Sequence, residues 1–252
     1  MSSIKTASNT SFSTGSRRLR PAPLAMRITG LFRFPVKSMA GQSLERVEIG
    51  RGGMPQDRRF VIIDGQATRA GKPLTARLVG DLLAYRAWSD NGRVYVDAPD
   101  GTRYEPGAAL ADALGASLHR PISIAEMPAG EPMHDAHDLL VICVPSLRAL
   151  EAEWSKPLNP LRFRPNIILD GDDLATYTED GWAGKRFAAG DTRIAGVKRN
   201  ERCVLPTIDP QTLQHDPSLL RLIVERHQKC FGLYCHVEQA GNIAVGDEWK
   251  ML

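Results

Sequence analysis

The chain has 252 residues, of which 42% are hydrophobic and 24% are charged, and its formal net charge is +3. A chain of this length and composition can bury its own core without disulfides or structural metals. No apolar run approaches the roughly 20 residues of a membrane-spanning helix. The small positive charge excludes nucleic acid as the main partner, whereas it suits an anionic small molecule.

The first 27 residues carry five Lys or Arg side chains, many Ser and Thr, and no Asp or Glu. This composition is typical of a disordered tail and also of a transit peptide. Because apolar residues are too sparse for an amphipathic helix, we predict that residues 1–26 form a disordered tail of a cytoplasmic protein. A mitochondrial location is the alternative, if the tail is a transit peptide.

Short β-strands dominate the first half of the ordered chain. Runs of β-branched and aromatic residues are separated by turn pairs such as Asp64-Gly65, Asn91-Gly92 and Asp100-Gly101. The predicted strands are 27–34, 47–49, 60–63, 73–77, 82–88, 94–98 and 103–104.

Helices and strands alternate in the second half. The spacing of Leu110, Leu114 and Leu118 predicts a helix over 106–118, and Pro145 near the start of a periodic run predicts another over 145–154. Further elements are a helix over 218–231 and strands over 166–169, 193–197, 203–208, 233–237 and 242–245. The predicted fold is mainly β with α, in the α+β class, with an antiparallel barrel or strongly curved sheet and a few connecting helices.

The four cysteines are predicted to be reduced thiols, because no secretory signal or paired short spacing accompanies them. Cys230 and Cys235 are spaced like the start of a plant-type iron–sulfur motif, but no third cysteine follows, which excludes a cluster. His134 and His137 have a spacing that can hold zinc, although a loop leaves their geometry unconstrained; zinc at this pair is an alternative hypothesis.

Cys203 is the cysteine with a cationic sequence environment. Arg202 precedes it, and Lys198 and Arg199 lie just upstream. Such neighbours depress the pKa of a thiol and favour the thiolate, which is a nucleophile or a soft-metal ligand. The alternative is a structural cysteine buried in a strand.

Basic and small polar residues also recur where predicted strands end. They are Lys37-Ser38, Arg58-Arg59, Thr75-Ala76-Arg77 and Arg162-Phe163-Arg164-Pro165-Asn166. If these ends converge, they form a site for an anion with a phosphate and a polar ring system. No phosphate-binding glycine loop, dinucleotide fingerprint or nucleophile elbow is present, which excludes the common NAD enzymes, P-loop NTPases and serine hydrolases.

These residues lie in motifs that resemble those of the MOSC family from Arg27 to Leu252. Five motifs agree with the family in order and spacing: Phe34-Pro35-Val36-Lys37-Ser38, Asp57-Arg58-Arg59-Phe60, Thr75-Ala76-Arg77, Arg162-Phe163-Arg164-Pro165-Asn166, and Arg202-Cys203 with Thr207, Asp209 and Pro210. Within the family, the chain is most similar to the mitochondrial amidoxime-reducing component and its bacterial relatives. The resemblance implies an N-terminal β-barrel domain at residues 27–120, packed on a MOSC β-barrel domain at residues 121–252.

The resemblance also implies a molybdenum cofactor, in which a pyranopterin dithiolene holds the metal. Cys203 would be the catalytic cysteine and the protein's sulfur ligand to molybdenum. The implied cofactor-binding residues are Lys37, Ser38, Arg58, Thr75, Arg77, Asp135, His137, Arg164, Asn166 and Arg202. The chain departs from the family at Asp135-Ala136-His137-Asp138, where hydroxyl-bearing residues are usual, and His137 is the candidate to replace one of them.

The leading hypothesis from this resemblance is an oxidoreductase that reduces N-hydroxylated or N-oxide compounds at molybdenum. Because the chain ends soon after Gly246-Asp247, without the ferredoxin domain of some relatives, electrons are expected from a separate ferredoxin, flavodoxin or cytochrome-type protein with its reductase. One alternative is a sulfur or molybdenum-cofactor carrier that uses a Cys203 persulfide. Another is a lyase that keeps the fold but not the metal.

Overall fold

A computed structural model describes residues 26–128, 136–172 and 174–252. Within them the chain forms sixteen strands and three α-helices. The strands are β1 (Arg27–Arg33), β2 (Gln42–Leu44), β3 (Arg46–Ile49), β4 (Phe60–Asp64), β5 (Lys72–Pro73), β6 (Arg86–Asp90), β7 (Arg93–Asp97), β8 (Arg103–Tyr104), β9 (Ile122–Glu126), β10 (Leu139–Cys143), β11 (Ile167–Asp170), β12 (Arg186–Ala189), β13 (Thr192–Glu201), β14 (Cys230–Gln239), β15 (Gly241–Ala244) and β16 (Trp249–Met251). The helices are α1 (Ala108–Leu118), α2 (Val144–Trp154) and α3 (Ser218–His227).

The largest sheet has eight strands in the order β16-β12-β13-β14-β10-β11-β1-β2. At its centre β10 and β11 pair in parallel, whereas the other neighbouring strands pair antiparallel. All five residues of β10 are buried, because strands covered on both faces are continuous apolar runs rather than alternating ones. Three smaller sheets have the orders β15-β3, β5-β4-β9 and β6-β7-β8. The predicted mainly β fold with a few helices is confirmed.

The first strands of the chain complete the sheets of its last part. β1 pairs with β11, with Arg27 opposite Asp170, and β3 pairs with β15, with Ile49 opposite Gly241. These pairings join residues that are far apart in sequence. As a result, the segments that follow β1 and β3 are held against residues from the second half of the chain.

Three clusters of buried apolar side chains form the core. One lies against the eight-stranded sheet and includes residues from both ends of the chain, such as Ile28 and Trp249. A second is formed mainly by the first half of the chain, including Ile62 and Leu110, together with Ile208. The third lies under α2 and α3 and includes Phe231.

Several element boundaries differ from the prediction. The predicted strand at 203–208 is wrong: β13 ends at Glu201, and Leu205–Thr207 is a 3-10 turn. Pro206 in this segment lacks the N–H that a strand ladder needs. The predicted helix at 218–231 ends at His227, because the next two residues have positive φ values of 54° and 66°.

Two further differences concern strands. The first part of the predicted strand at 82–88 belongs to a 3-10 turn, Gly80–Ala84, and the strand begins at Arg86. Five strands, β2, β9, β10, β12 and β16, have no counterpart among the predicted strands. Among the described helices, none combines the length and apolar character needed to cross a membrane. The predicted disordered tail lies outside the described residues except for Met26, whose carbonyl accepts a hydrogen bond of 2.7 Å from the Trp249 amide.

Candidate functional site

A cavity of about 440 Å³ lies where the strand ends from both halves of the chain converge. The loops after β1 and β5 and the segment before β4 form one wall. The 3-10 turn Pro160–Phe163, the end of β13 and the start of β14 form the other. The lining residues are Lys37, Ser38, Arg58, Thr75, Arg77, Ala136, His137, Leu140, Arg162, Phe163, Arg164, Asn166, Lys198, Arg199, Asn200, Glu201, Arg202, Cys203, Leu205, Pro206, Lys229 and Tyr234.

The cavity is strongly cationic. Nine of its described lining residues are Lys or Arg, and Glu201 is the single Asp or Glu among them. So many like charges at close range repel one another unless an anion or structural partners neutralise them. The cavity therefore suits an anionic ligand.

The structure brings together ten of the eleven residues predicted for the site. The ten that line the cavity are Lys37, Ser38, Arg58, Thr75, Arg77, His137, Arg164, Asn166, Arg202 and Cys203. Asp135 lies outside the described residues. Sequence reasoning missed Lys229 and Asn200. Lys229 reaches the site because its carbonyl accepts a hydrogen bond of 2.7 Å from the Arg202 amide, and no local sequence signal indicates this contact.

A buried network around Asp57 holds one edge of the cavity. The Asp57 carboxylate, which is 0% exposed, pairs with the Arg58 guanidinium and accepts a hydrogen bond of 2.7 Å from the Phe34 amide. Asn166 donates from Nδ2 to Asp57 Oδ2 at 3.2 Å. Arg58 in turn donates from Nη1 to Asn166 Oδ1 at 3.3 Å. A charge-assisted network of this kind fixes the geometry of its members.

Two guanidinium groups of the cavity wall lie over the buried Phe34 ring. The distances from Cζ to the ring centroid are 4.8 Å for Arg58 and 4.1 Å for Arg164. Both contacts are in the range of cation–π attraction. Arg164 also donates from Nη1 to the Met39 carbonyl at 2.6 Å. These contacts hold two positive charges from opposite halves of the chain side by side.

Three residues of the site have left-handed backbone conformations. The φ angles are 74° for Ser38, 49° for Arg58 and 53° for Arg164. Non-glycine residues rarely adopt such angles, and those that do cluster at functional sites where the surrounding contacts enforce them. The turns direct these three side chains to the same cavity.

Arg202 and Arg162 are buried cations held by backbone carbonyls. Arg202 donates from Nε to the Phe231 carbonyl at 2.9 Å and from Nη1 to the Phe163 carbonyl at 3.1 Å. Arg162 donates to the Pro206 carbonyl at 3.1 Å and forms an ion pair with Asp209 at 2.8 Å. These bonds fix the segment that carries Cys203 between two other segments of the chain.

Of the four cysteines, all of which are described, Cys203 alone lines the cavity. It is partly exposed and follows the end of β13. Cys143 and Cys235 are buried in the core, and burial raises the pKa of both thiols. Cys230 is partly exposed, and burial likewise raises the pKa of its thiol. The structure therefore places one thiol among the cations of the cavity.

His137 lies at the wall of the cavity against Tyr234, with 5.5 Å between the ring centroids. Burial lowers the pKa of His137, and the nearby Lys198 ammonium lowers it further. The imidazole is therefore neutral at pH 7. The zinc hypothesis involves His134, which lies outside the described residues. Within the described ranges, no three His, Cys, Asp or Glu residues are grouped as a metal site.

Two family models match the chain. The MOSC N-terminal beta barrel domain matches residues 25–120, and the MOSC domain matches residues 131–250. In fold, the chain is similar to the crystal structure of the YUAD protein from Bacillus subtilis, with a TM-score of 0.52 over 91% of this chain and 97% of that one. The sequences are 14% identical, so this likeness concerns the fold alone.

Curated relatives include two human proteins and one nematode protein. Mitochondrial amidoxime-reducing component 1 of Homo sapiens is 32% identical over 47% of this chain and 38% of its own length. Mitochondrial amidoxime reducing component 2 of Homo sapiens is 30% identical over 43% of this chain and 35% of its own length. Molybdenum cofactor sulfurase of Caenorhabditis elegans is 27% identical over 90% of this chain and 36% of its own length. The chain thus matches well under half the length of each relative.

The two family models match in the order expected from the motifs, and together they extend over most of the chain. The relatives named for amidoxime reduction and for molybdenum-cofactor sulfuration support the same grouping. The protein belongs to the MOSC-domain family.

Proposed function

We propose that this protein binds a molybdenum cofactor and reduces N-hydroxylated or N-oxide compounds. The observation that carries the proposal is the placement of Cys203 in a cavity lined by nine Lys and Arg side chains. The relatives named amidoxime-reducing components support the choice of reaction.

The side chains present fit a pyranopterin dithiolene cofactor in their donor chemistry. Such a cofactor carries a phosphate, a polar heterocycle and sulfur-bound molybdenum. Arg and Lys bind phosphate oxygens, and a thiolate is a soft ligand suited to a sulfur-bound metal. Arg58, Arg164, Lys37 and Ser38 would hold the anionic and polar parts, and Cys203 would hold the metal.

Several protein groups would support the reduction. When bound, the cofactor supplies a redox-active metal that can exchange oxygen and electrons with a substrate. Arg202 bonds to the Phe231 and Phe163 carbonyls, which orients the segment that carries Cys203. The neutral His137 imidazole can accept or deliver a proton at the cavity wall. Reduction of an N–OH group consumes protons and releases water, so a proton-carrying group near the substrate is required.

Electrons would come from a separate redox protein. A ferredoxin, flavodoxin or cytochrome-type protein with its reductase can fill this role. The cationic residues around the cavity favour an acidic partner surface, because complementary charge speeds association. Loss of activity at high ionic strength with a protein donor, but not with a small artificial donor, is the expected sign of this contact.

The test begins with protein purified from a host that makes the cofactor. We expect near-stoichiometric molybdenum by elemental analysis and pterin by fluorescence after oxidation. Cys203→Ser is expected to lose the metal or to change its spectrum, whereas Cys230→Ser, the matched control, retains both. The proposal fails if the wild-type protein binds molybdenum but reduces no N-oxygenated compound with an artificial electron donor.

A second candidate function is supported by the nematode relative named molybdenum cofactor sulfurase, which matches 90% of this chain. In this alternative, Cys203 holds a persulfide or the protein carries the cofactor without turning over a substrate. The partly exposed thiol in a cationic cavity serves this role as well. Stoichiometric cyanolysable sulfur on Cys203 in metal-free protein is the expected result, and its absence would end this alternative.

A further inference from the structure

Two asparagine side chains line the cavity, and their environments differ. Asn166 belongs to the Arg-Phe-Arg-Pro-Asn motif, whereas Asn200 lies three positions before Cys203. An asparagine amide has two N–H donors and an oxygen that accepts two hydrogen bonds. An amide whose donors and acceptor already bond to the protein is not available to a ligand, whereas one with unused donors and acceptor is.

The Asn166 amide is fully occupied by the protein. Its Nδ2 donates to the Phe32 carbonyl and to Asp57 Oδ2, each at 3.2 Å. Its Oδ1 accepts from the Leu140 amide at 3.1 Å and from Arg58 Nη1 at 3.3 Å. All four hydrogen-bonding sites are used to connect β1, β10 and the Asp57 segment. Asn166 is thus a positioning residue.

The Asn200 amide has the opposite environment. The residue is 4% exposed, and it lines the cavity. Within the part of the chain that the structure describes, no hydrogen bond joins its side chain to the protein. Its amide atoms are also not among the fully buried atoms that lack a partner, so they remain accessible from the cavity. Such a group in a cavity wall is therefore a candidate for a bond to the molecule that fills the cavity.

The backbone at Asn200 departs from regular pairing. In the β13–β14 ladder, Arg199 lies opposite Leu233 and Glu201 lies opposite Cys230, with a shift of register between them. Irregularities of this kind occur next to active sites, where they redirect a side chain. The shift leaves Asn200 without a residue opposite it, at the end of the strand that leads to Cys203.

We infer that Asn200 is the carboxamide that recognises the ligand, and that it pairs with the lactam edge of a pterin ring. A carboxamide presents a donor and an acceptor in one plane, and a lactam edge presents the complementary pair. The surrounding Lys and Arg side chains can only donate, so they suit the phosphate but not the carbonyl and N–H of a heterocycle together. This inference rests on the proposed function for the identity of the ligand.

The inference is tested by thermal unfolding of cofactor-free protein with two added ligands, inorganic phosphate and 6-hydroxymethylpterin monophosphate. A ligand that binds the native state raises the melting temperature. In the wild type, the pterin phosphate is expected to give a larger rise than phosphate alone. In Asn200→Leu, the rise with phosphate is retained, and the affinity for the pterin phosphate falls about tenfold, as expected for loss of hydrogen bonds.

Two further variants separate recognition from structure. Asn166→Leu is expected to lower the melting temperature of the ligand-free protein by several degrees, because four hydrogen bonds are lost. Asn200→Leu is expected to leave that temperature unchanged or to raise it. The exposed Asn242→Leu is the control for the Asn-to-Leu change itself. A drop in Asn200→Leu equal to that in Asn166→Leu would show a structural role and overturn the inference.

The remaining outcomes distinguish this inference from the proposed function. A wild type that responds equally to both ligands, or an Asn200→Leu variant that keeps the full pterin response, overturns the role of Asn200 even if the holoprotein is an active reductase. A pterin response that Asn200→Leu loses upholds that role even if the holoprotein reduces no N-oxygenated compound.

Discussion

Asn166 Nδ2 donates a hydrogen bond of 3.2 Å to Asp57 Oδ2, across 109 positions of sequence. The bond connects the strand-end motif of the first half of the chain to the Arg-Phe-Arg-Pro-Asn motif of the second. Arg58 follows Asp57 directly and Arg164 lies two positions before Asn166, so the bond joins the two segments that carry these cations of the cavity. The cavity therefore depends on a buried carboxylate that does not line it.

We predict that Asp57→Asn lowers the free energy of unfolding by about 2–3 kcal/mol. The buried ion pair with Arg58 is broken, and the N–H groups of the new asparagine amide face the N–H donors that now bond to the Asp57 carboxylate. The loss of order around Arg58 should also reduce the rise in melting temperature with phosphate. Urea unfolding measures the first effect. Asp112→Asn, on the exposed surface of α1, is the matched control and should change stability by less than about 0.5 kcal/mol. Equal effects of the two substitutions would contradict the role of Asp57.

The four thiols are predicted to differ in reactivity. In native, metal-free protein, iodoacetamide should modify Cys203 and Cys230, which are partly exposed, and leave Cys143 and Cys235 unmodified. Burial excludes the reagent from the last two and raises the pKa of their thiols. Peptide mass spectrometry with and without denaturant measures the difference. Modification of all four at one rate in native protein would show that the core is not packed as described.

Glu179 is predicted to make stability fall as the pH rises. Burial raises the pKa of its carboxyl above the ordinary 4.5, and the Ser146 hydroxyl and Cys143 amide donate to it. Between 4.5 and the native pKa, the native state holds more protons than the unfolded state, so stability is lost as the pH rises through this window. Glu179→Gln should lack this loss.

Melting temperatures of the wild type and Glu179→Gln between pH 4 and pH 8 test this sign. The difference in stability between wild type and variant should fall with increasing pH. Glu225→Gln, at an exposed position of α3, controls for the change in net charge. A difference that rises with pH would mean that Glu179 is stabilised as a carboxylate.

The contribution of His137 to stability should depend on pH in the opposite direction to that of Glu179. Burial, with a contribution from Lys198, lowers the pKa of its imidazole from 6.5. As the pH falls below 6.5, the unfolded state binds more protons than the native state, so stability is lost toward acid. His137→Gln should lose less stability than the wild type between pH 7 and pH 5, and the exposed His215→Gln is the matched control. Identical acid profiles of wild type and His137→Gln would contradict the prediction.

Properties that depend on neighbouring residues were accessible from the sequence. The spacing of apolar residues predicts α1 and α2 because a helix repeats every 3.6 residues, and Pro145 lies at the start of α2. The cationic motifs and Cys203 predict a site for an anion and a soft metal, because side-chain chemistry does not depend on the fold. Ten of the eleven predicted residues line one cavity, whereas their roles stay predictions.

Properties that depend on long-range pairing required the tertiary structure. The sequence predicts a strand at Cys203, but Cys203 follows the end of β13, and Pro206 cannot continue a strand. The pairing of β3 with β15 joins Ile49 to Gly241, almost 200 positions away in sequence. Asn166 and Asn200 are the same residue type in similar polar segments, yet one amide is saturated by the protein and the other faces a cavity. Which of the two can bind a ligand depends on hydrogen-bond partners from distant segments, and their positions are set only when the sheets assemble.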